Sequence, residues 1–171
     1  MAVATVDEGV WHEGERRVRR RTEGNTVKKE RIVRAKEVMG FSPAGAGGAY
    51  ISRLLIDTEG VGSDRLMLVH ATLKPGQAPG DAAAHPAPYD EAYYILRGQG
   101  LMEFGDDEES HPVEADTAIF IPADTFHKIT NTGTEDLEFL TIWPIRPQEG
   151  VLGVYDERKR AWGMTFRKVK A

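Results

Sequence analysis

The chain has 171 residues, 40% of them hydrophobic and 29% charged, with a formal net charge of -5; this is the make-up of a globular domain rather than a disordered chain, and the negative balance argues against nucleic acid or an anionic membrane as partner. With no cysteine, disulfides, thiolate zinc sites, iron–sulfur clusters and thiol nucleophiles are excluded, so any metal must be held by nitrogen and oxygen. No apolar run reaches the length of a membrane span and nothing in MAVATVDEGVWHEGE directs export, so the expectation is a cytoplasmic protein with a small-molecule partner.

In chain order, residues 1–30 show little apolar periodicity, and the cluster Arg16, Arg17, Arg19, Arg20 and Arg21 is surrounded by acidic residues; they read as a solvated N-terminal arm. The stretch ERIVRAKEVM that follows fits a short helix or an edge strand equally well. Gly40 to Gly48, GFSPAGAGG, reads as a long loop because glycine, proline and alanine dominate it. Seven strand-like runs follow: Ala49 to Ile56, Arg65 to Leu73, Glu91 to Leu96, Gly100 to Phe104, Thr117 to Ile121, His127 to Asn131 and Leu137 to Trp143. They recur about every ten residues between Pro-Gly, Gly-Gln-Gly, Gly-Asp-Asp and Asn-Thr-Gly turns, which predicts an all-β sandwich or barrel and not a parallel α/β sheet. RLMLVHATL is apolar on both faces, as a central strand would be. Pro-Ile-Arg-Pro ends the last strand and opens a tail, VLGVYDERKRAWGMTFRKVKA, whose place the sequence leaves open. Tyr50, Phe104, Phe120, Phe126, Phe139 and Trp143 are expected to form core or pocket wall.

Five histidines are candidates for chemistry. His12 in the arm and His111 in the acidic turn read as solvated, and His70 in the apolar run reads first as a hydrogen-bonded core residue. His127 begins the alternating strand HKITN, which puts His127, Ile129 and Asn131 on one face. His85 opens the block His-Pro-Ala-Pro-Tyr-Asp-Glu; on an extended chain His85, Glu91, Tyr93 and Ile95 share a face, provided the proline-rich bend preserves parity.

The wider pattern, Gly80, His85, Glu91 and Gly98 followed by Pro122, His127 and Asn131, resembles the two conserved motifs of the cupin superfamily. EAYYILRGQG carries the glutamate and closing glycine of the first motif, and Ala87 stands where its second histidine belongs. IPADTFHKITN carries the second, with Asp116 and Asp124 in place of its two glycines. The resemblance implies a double-stranded β-helix, a jelly-roll barrel, over residues 31–171 with its motif core at about 73–143, often homodimeric. It also implies a divalent metal (iron, manganese, nickel or zinc) on His85, Glu91 and His127, with Tyr89 or His70 as candidates to complete the set. Tyr93 is placed to line the cavity as proton donor or ligand, or to pack as a core aromatic. Two histidines and one carboxylate suit a non-heme iron dioxygenase acting on a small oxygenated substrate. The alternatives are a non-redox isomerase, lyase or cyclase, and a non-catalytic small-molecule binder.

Overall fold

A computed structural model describes residues 31–43, 48–58, 60–78, 87–105, 109–144 and 166–169. The predicted arm over 1–30, His12, His85 and most of the C-terminal tail lie outside them. After one 3-10 turn at Ala35–Glu37, the described chain is strand: β1 (Gly40–Pro43), β2 (Tyr50–Ile56), β3 (Leu66–Leu73), β4 (Glu91–Arg97), β5 (Gln99–Phe104), β6 (Glu109–Glu114), β7 (Ala118–Ile121), β8 (His127–Asn131), β9 (Leu137–Pro144) and β10 (Phe166–Val169). A seven-stranded sheet runs β10-β1-β2-β3-β9-β4-β7 and a three-stranded sheet runs β6-β5-β8, with every pairing antiparallel. This is the all-β class expected from the strand spacing, in the double-stranded β-helix arrangement that the cupin resemblance implies.

Period-2 alternation decides what faces the interior. On β9 the inward residues are Leu137, Phe139, Thr141 and Trp143. Its register with β3 sets them beside Leu73, Ala71, Val69 and Met67, and its register with β4 sets Phe139 beside Ile95 and Thr141 beside Tyr93. The interior is filled by two apolar clusters. The larger is built around Leu73, Ile95, Met102, Ile121, Leu137 and Phe139. The smaller is Met67, Val69 and Trp143, with Leu54 and Tyr89 packed against it.

Several expectations need correction. Half of the predicted Gly40–Gly48 loop is a strand: Gly40–Pro43 pairs with β10 over four residues, and Phe41 pairs with Ser52 of β2. Its partner β10 lies more than a hundred residues away in the chain, so local composition holds no trace of the pairing. The stretch Asp-Asp-Glu-Glu-Ser-His-Pro, read as an acidic turn, runs into a strand: Glu109–Glu114 is the edge strand β6, on which Val113 is buried and the rest exposed. Charge and proline are what an exposed edge tolerates, and they hide the strand from a search for apolar alternation. Phe120 and Phe126 do not join the core; they are 64% and 39% exposed, because β7 turns Ile119 and Ile121 inward and leaves Phe120 on the outer face. Among the described residues no helix is long and apolar enough to cross a membrane.

Candidate metal and ligand site

β4 and β8 bring the site together. β4 buries Glu91, Tyr93 and Ile95, and β8 buries His127, Ile129 and Asn131, so both predicted faces turn inward. The two strands belong to different sheets and are drawn together by the segments that precede them. The Asp124 N–H donates to the Ala87 carbonyl at 2.6 Å, and the Ala123 N–H donates to Asp90 Oδ1 at 2.9 Å. These bonds fasten the start of the first motif to the turn of the second.

That turn needs a left-handed backbone. Among the described residues, Asp116 (φ 65°) and Asp124 (φ 59°) alone have positive φ without being glycine. They are the two positions at which aspartate replaces the glycine of the second motif. Aspartate tolerates this region better than most residues because its short side chain bonds locally, so the departure from the pattern leaves the turn intact.

His127 is 1% exposed. Its Nδ1 lies 3.0 Å from the Thr125 carbonyl; since a carbonyl only accepts, Nδ1 carries the proton and Nε2 keeps its lone pair. Burial lowers the pKa of the imidazole below its ordinary value and outweighs the opposing pull of the Thr125 carbonyl. The ring is therefore held neutral with Nε2 as the acceptor. The Tyr93 hydroxyl lies 3.2 Å from Nε2 and donates to it. The Tyr93 ring meets His127 edge-on at 5.8 Å and stacks on Phe139 at 5.4 Å. Glu91, 5% exposed, precedes Tyr93 by two residues on the same face.

The other candidates separate. His70 is on the outer face of β3, its Nε2 3.3 Å from Glu138 Oε2, so it cannot join His127 in the interior. Tyr89 packs against the Met67, Val69 and Trp143 cluster. His111 bonds Glu109 at 2.9 Å on the exposed edge strand. Asn131 is consumed by structure: its Nδ2 donates to the Leu73 and Glu135 carbonyls, each at 2.8 Å, and its Oδ1 accepts from the Gly133 N–H at 2.9 Å. Glu103, a polar residue of β5 that the sequence also left open as facing the cavity, lies 3.5 Å from Lys128. Sequence reasoning missed Thr141, a buried hydroxyl beside Tyr93; one threonine in an apolar run gives no signal.

The sequence model of the cupin domain family matches residues 69–143. The chain is also 33% identical over 88 residues to the oxalate-binding protein of Thermotoga maritima, an alignment that spans 52% of this chain and 69% of that protein. The chain belongs to the cupin superfamily. The crystal structure of a predicted oxalate decarboxylase from Thermotoga maritima overlays this cupin with a TM-score of 0.56 at 27% identity, covering 67% of this chain and 99% of that one. The polyketide cyclase RemF from Streptomyces resistomycificus overlays it with a TM-score of 0.59 at 21% identity, covering 78% and 98%; at that identity the likeness concerns the fold.

Members of this superfamily commonly hold a divalent metal. Among the described residues no three histidine, aspartate or glutamate side chains gather as a metal site, and His85 lies outside those residues. The donors that are described fit the role. A neutral imidazole presents Nε2 to the interior while its Nδ1–H is fixed by a carbonyl, the arrangement that orients metal-binding histidines. A buried carboxylate lies on the adjoining strand face. Ala87, where the family's second histidine would stand, is itself buried at 4% exposure.

Proposed function

We propose that this cupin holds a divalent metal through His85, Glu91 and His127 and acts as a lyase on a small carboxylate, with oxalate as the first substrate to try. The observation that carries the reading is the Tyr93 hydroxyl 3.2 Å from His127 Nε2 inside the barrel. A metal in this site would act as a Lewis acid that draws electron density from a bound carboxylate. His127 would hold the metal through the Nε2 lone pair that the Tyr93 hydroxyl meets, which would leave the phenol free to donate to the ligand. When a carboxylate leaves as carbon dioxide, the electron pair left on carbon needs a proton; Tyr93 delivers its own and recovers it from solvent. For oxalate the products are carbon dioxide and formate, with no oxidant consumed. The similarity to oxalate proteins of Thermotoga maritima supports the substrate class.

The test is metal analysis by plasma mass spectrometry on protein prepared without a metal-binding tag, followed by formate release from oxalate. The expected result is near-stoichiometric metal in wild type, loss of metal in His127→Ala, and in Tyr93→Phe retained metal with formate release lowered at least about a hundredfold. Iron accompanied by oxygen uptake would replace the lyase by the dioxygenase. Ala87 favours one further reading, a binder without turnover, in which wild type takes up oxalate and releases no formate.

A further inference from the structure

The inward face of β9 carries three apolar side chains and one hydroxyl, that of Thr141, which is 4% exposed. Thr141 sits where the two apolar clusters meet. Along its own strand Phe139 belongs to the larger cluster and Trp143 to the smaller. Across the sheet it is paired with Val69 of β3 and with Tyr93 of β4. Its Oγ1 is buried and has no hydrogen-bond partner among the described residues.

A buried hydroxyl without a partner is rare, since roughly nine in ten buried polar groups are paired. It also works against stability here. Valine has the same shape, favours strands at least as much and carries no polar atom to desolvate. The Thr141 hydroxyl is therefore a poor choice for an empty barrel and a good one for a barrel whose contents supply the missing acceptor or donor. The position of that partner follows from the register. Directly opposed residues of an antiparallel pair have Cβ atoms about 5 Å apart, so Thr141 lies beside Tyr93, the residue that reaches His127 Nε2. A ligand held between Glu91 and His127 meets the wall that Tyr93 and Thr141 share.

We propose that Thr141 is a specificity residue whose hydroxyl donates to a carboxylate oxygen of the ligand and, with Tyr93, orients that carboxylate within the site. The proposal rests on the function proposed above and adds to it the group that recognises the carboxylate. Hydroxyl donors to carboxylates are short and charge-assisted, so removing this one weakens binding without touching the metal ligands.

The experiment is calorimetric titration of oxalate into the metal-loaded wild type, Thr141→Val and Thr141→Ser, alongside metal content and the thermal midpoints of the ligand-free proteins. The valine variant should bind oxalate about thirtyfold more weakly, the equivalent of one charge-assisted hydrogen bond. It should keep its metal and melt at or above the wild-type midpoint. The serine variant, which retains the hydroxyl, should bind within about threefold of wild type. If valine binds as tightly as wild type, the hydroxyl serves only a buried water and the proposal fails. A valine variant that melts below wild type also defeats it, because the hydroxyl would then be holding the barrel together. Wild type that binds no oxalate at all overturns the proposed function, and this residue's role with it, which is a different result from a wild type that binds and a valine variant that binds equally.

Discussion

His127 shows how a single buried side chain is set up for one protonation state. Its Nδ1–H is committed to the Thr125 carbonyl, and burial lowers its pKa below the ordinary 6.5. As pH falls through that value the unfolded chain takes up a proton that the folded chain refuses. The metal-free protein therefore loses stability below pH 6.5, and the loss stops growing once the folded histidine is itself protonated. The urea midpoint of metal-free wild type should drop between about pH 7.5 and 5.5 by more than that of His127→Gln. Equal drops in the two proteins would show that His127 does not carry the effect. The same residue scale explains what was readable beforehand: Glu91 and Tyr93 share one face and His127 and Asn131 another by simple alternation, whereas the bonds that separate the roles of His127 and Asn131 run to backbone groups that alternation does not place, the Thr125 carbonyl for His127 and Leu73, Glu135 and Gly133 for Asn131.

At the scale of elements, the join between β4 and β5 depends on Gly98. Its φ is +87°, and a Cβ there would lie 2.6 Å from the Asp136 carbonyl oxygen and 2.9 Å from Leu137 Cα. Both contacts are backbone and cannot swing away. Gly98→Ala should cost about 3 kcal/mol, combining left-handed strain with a fixed clash, measured by urea denaturation; a cost under about 1 kcal/mol would mean that the β9 approach relaxes. The glycine was recognisable as the close of the first motif, but the reason for it is the backbone of another strand. β1 and β6 teach the complementary lesson. Pairing with β10 holds a glycine- and proline-containing segment extended, and pairing with β5 does the same for Glu109–Glu114. β6 is an edge strand and β1 lies one strand in from an edge, where backbone ladders need little from the side chains.

For the whole molecule, the consequence of the proposed site is that metal and fold stabilise one another. His127 and Glu91 come from strands of separate sheets, so the set of ligands exists only in the folded state and metal bound to it counts toward stability. At a free metal concentration a hundredfold above the dissociation constant the gain is about 2.7 kcal/mol. Chelation should therefore lower the thermal midpoint of wild type and leave that of His127→Ala unchanged. An unchanged wild-type midpoint, with metal loss verified by mass spectrometry, would place the metal outside the fold's interior.

Sequence alone was enough for the class of fold, the places of seven strands along the chain, the inward faces of β4 and β8, and the resemblance to the superfamily. Each of these rests on local periodicity, turn residues or motif spacing, and such signals survive without knowledge of the partner strand. Only the tertiary structure decided which polar residues share the interior. It placed His70 outside against Glu138, spent Asn131 on holding a turn, and set Thr141 beside Tyr93. The placements of His70 and Thr141 depend on strand register between segments dozens of residues apart, and the Asn131 bonds combine its own turn with the distant Leu73 carbonyl, so a side chain's chemistry follows from its neighbours as much as from its own identity.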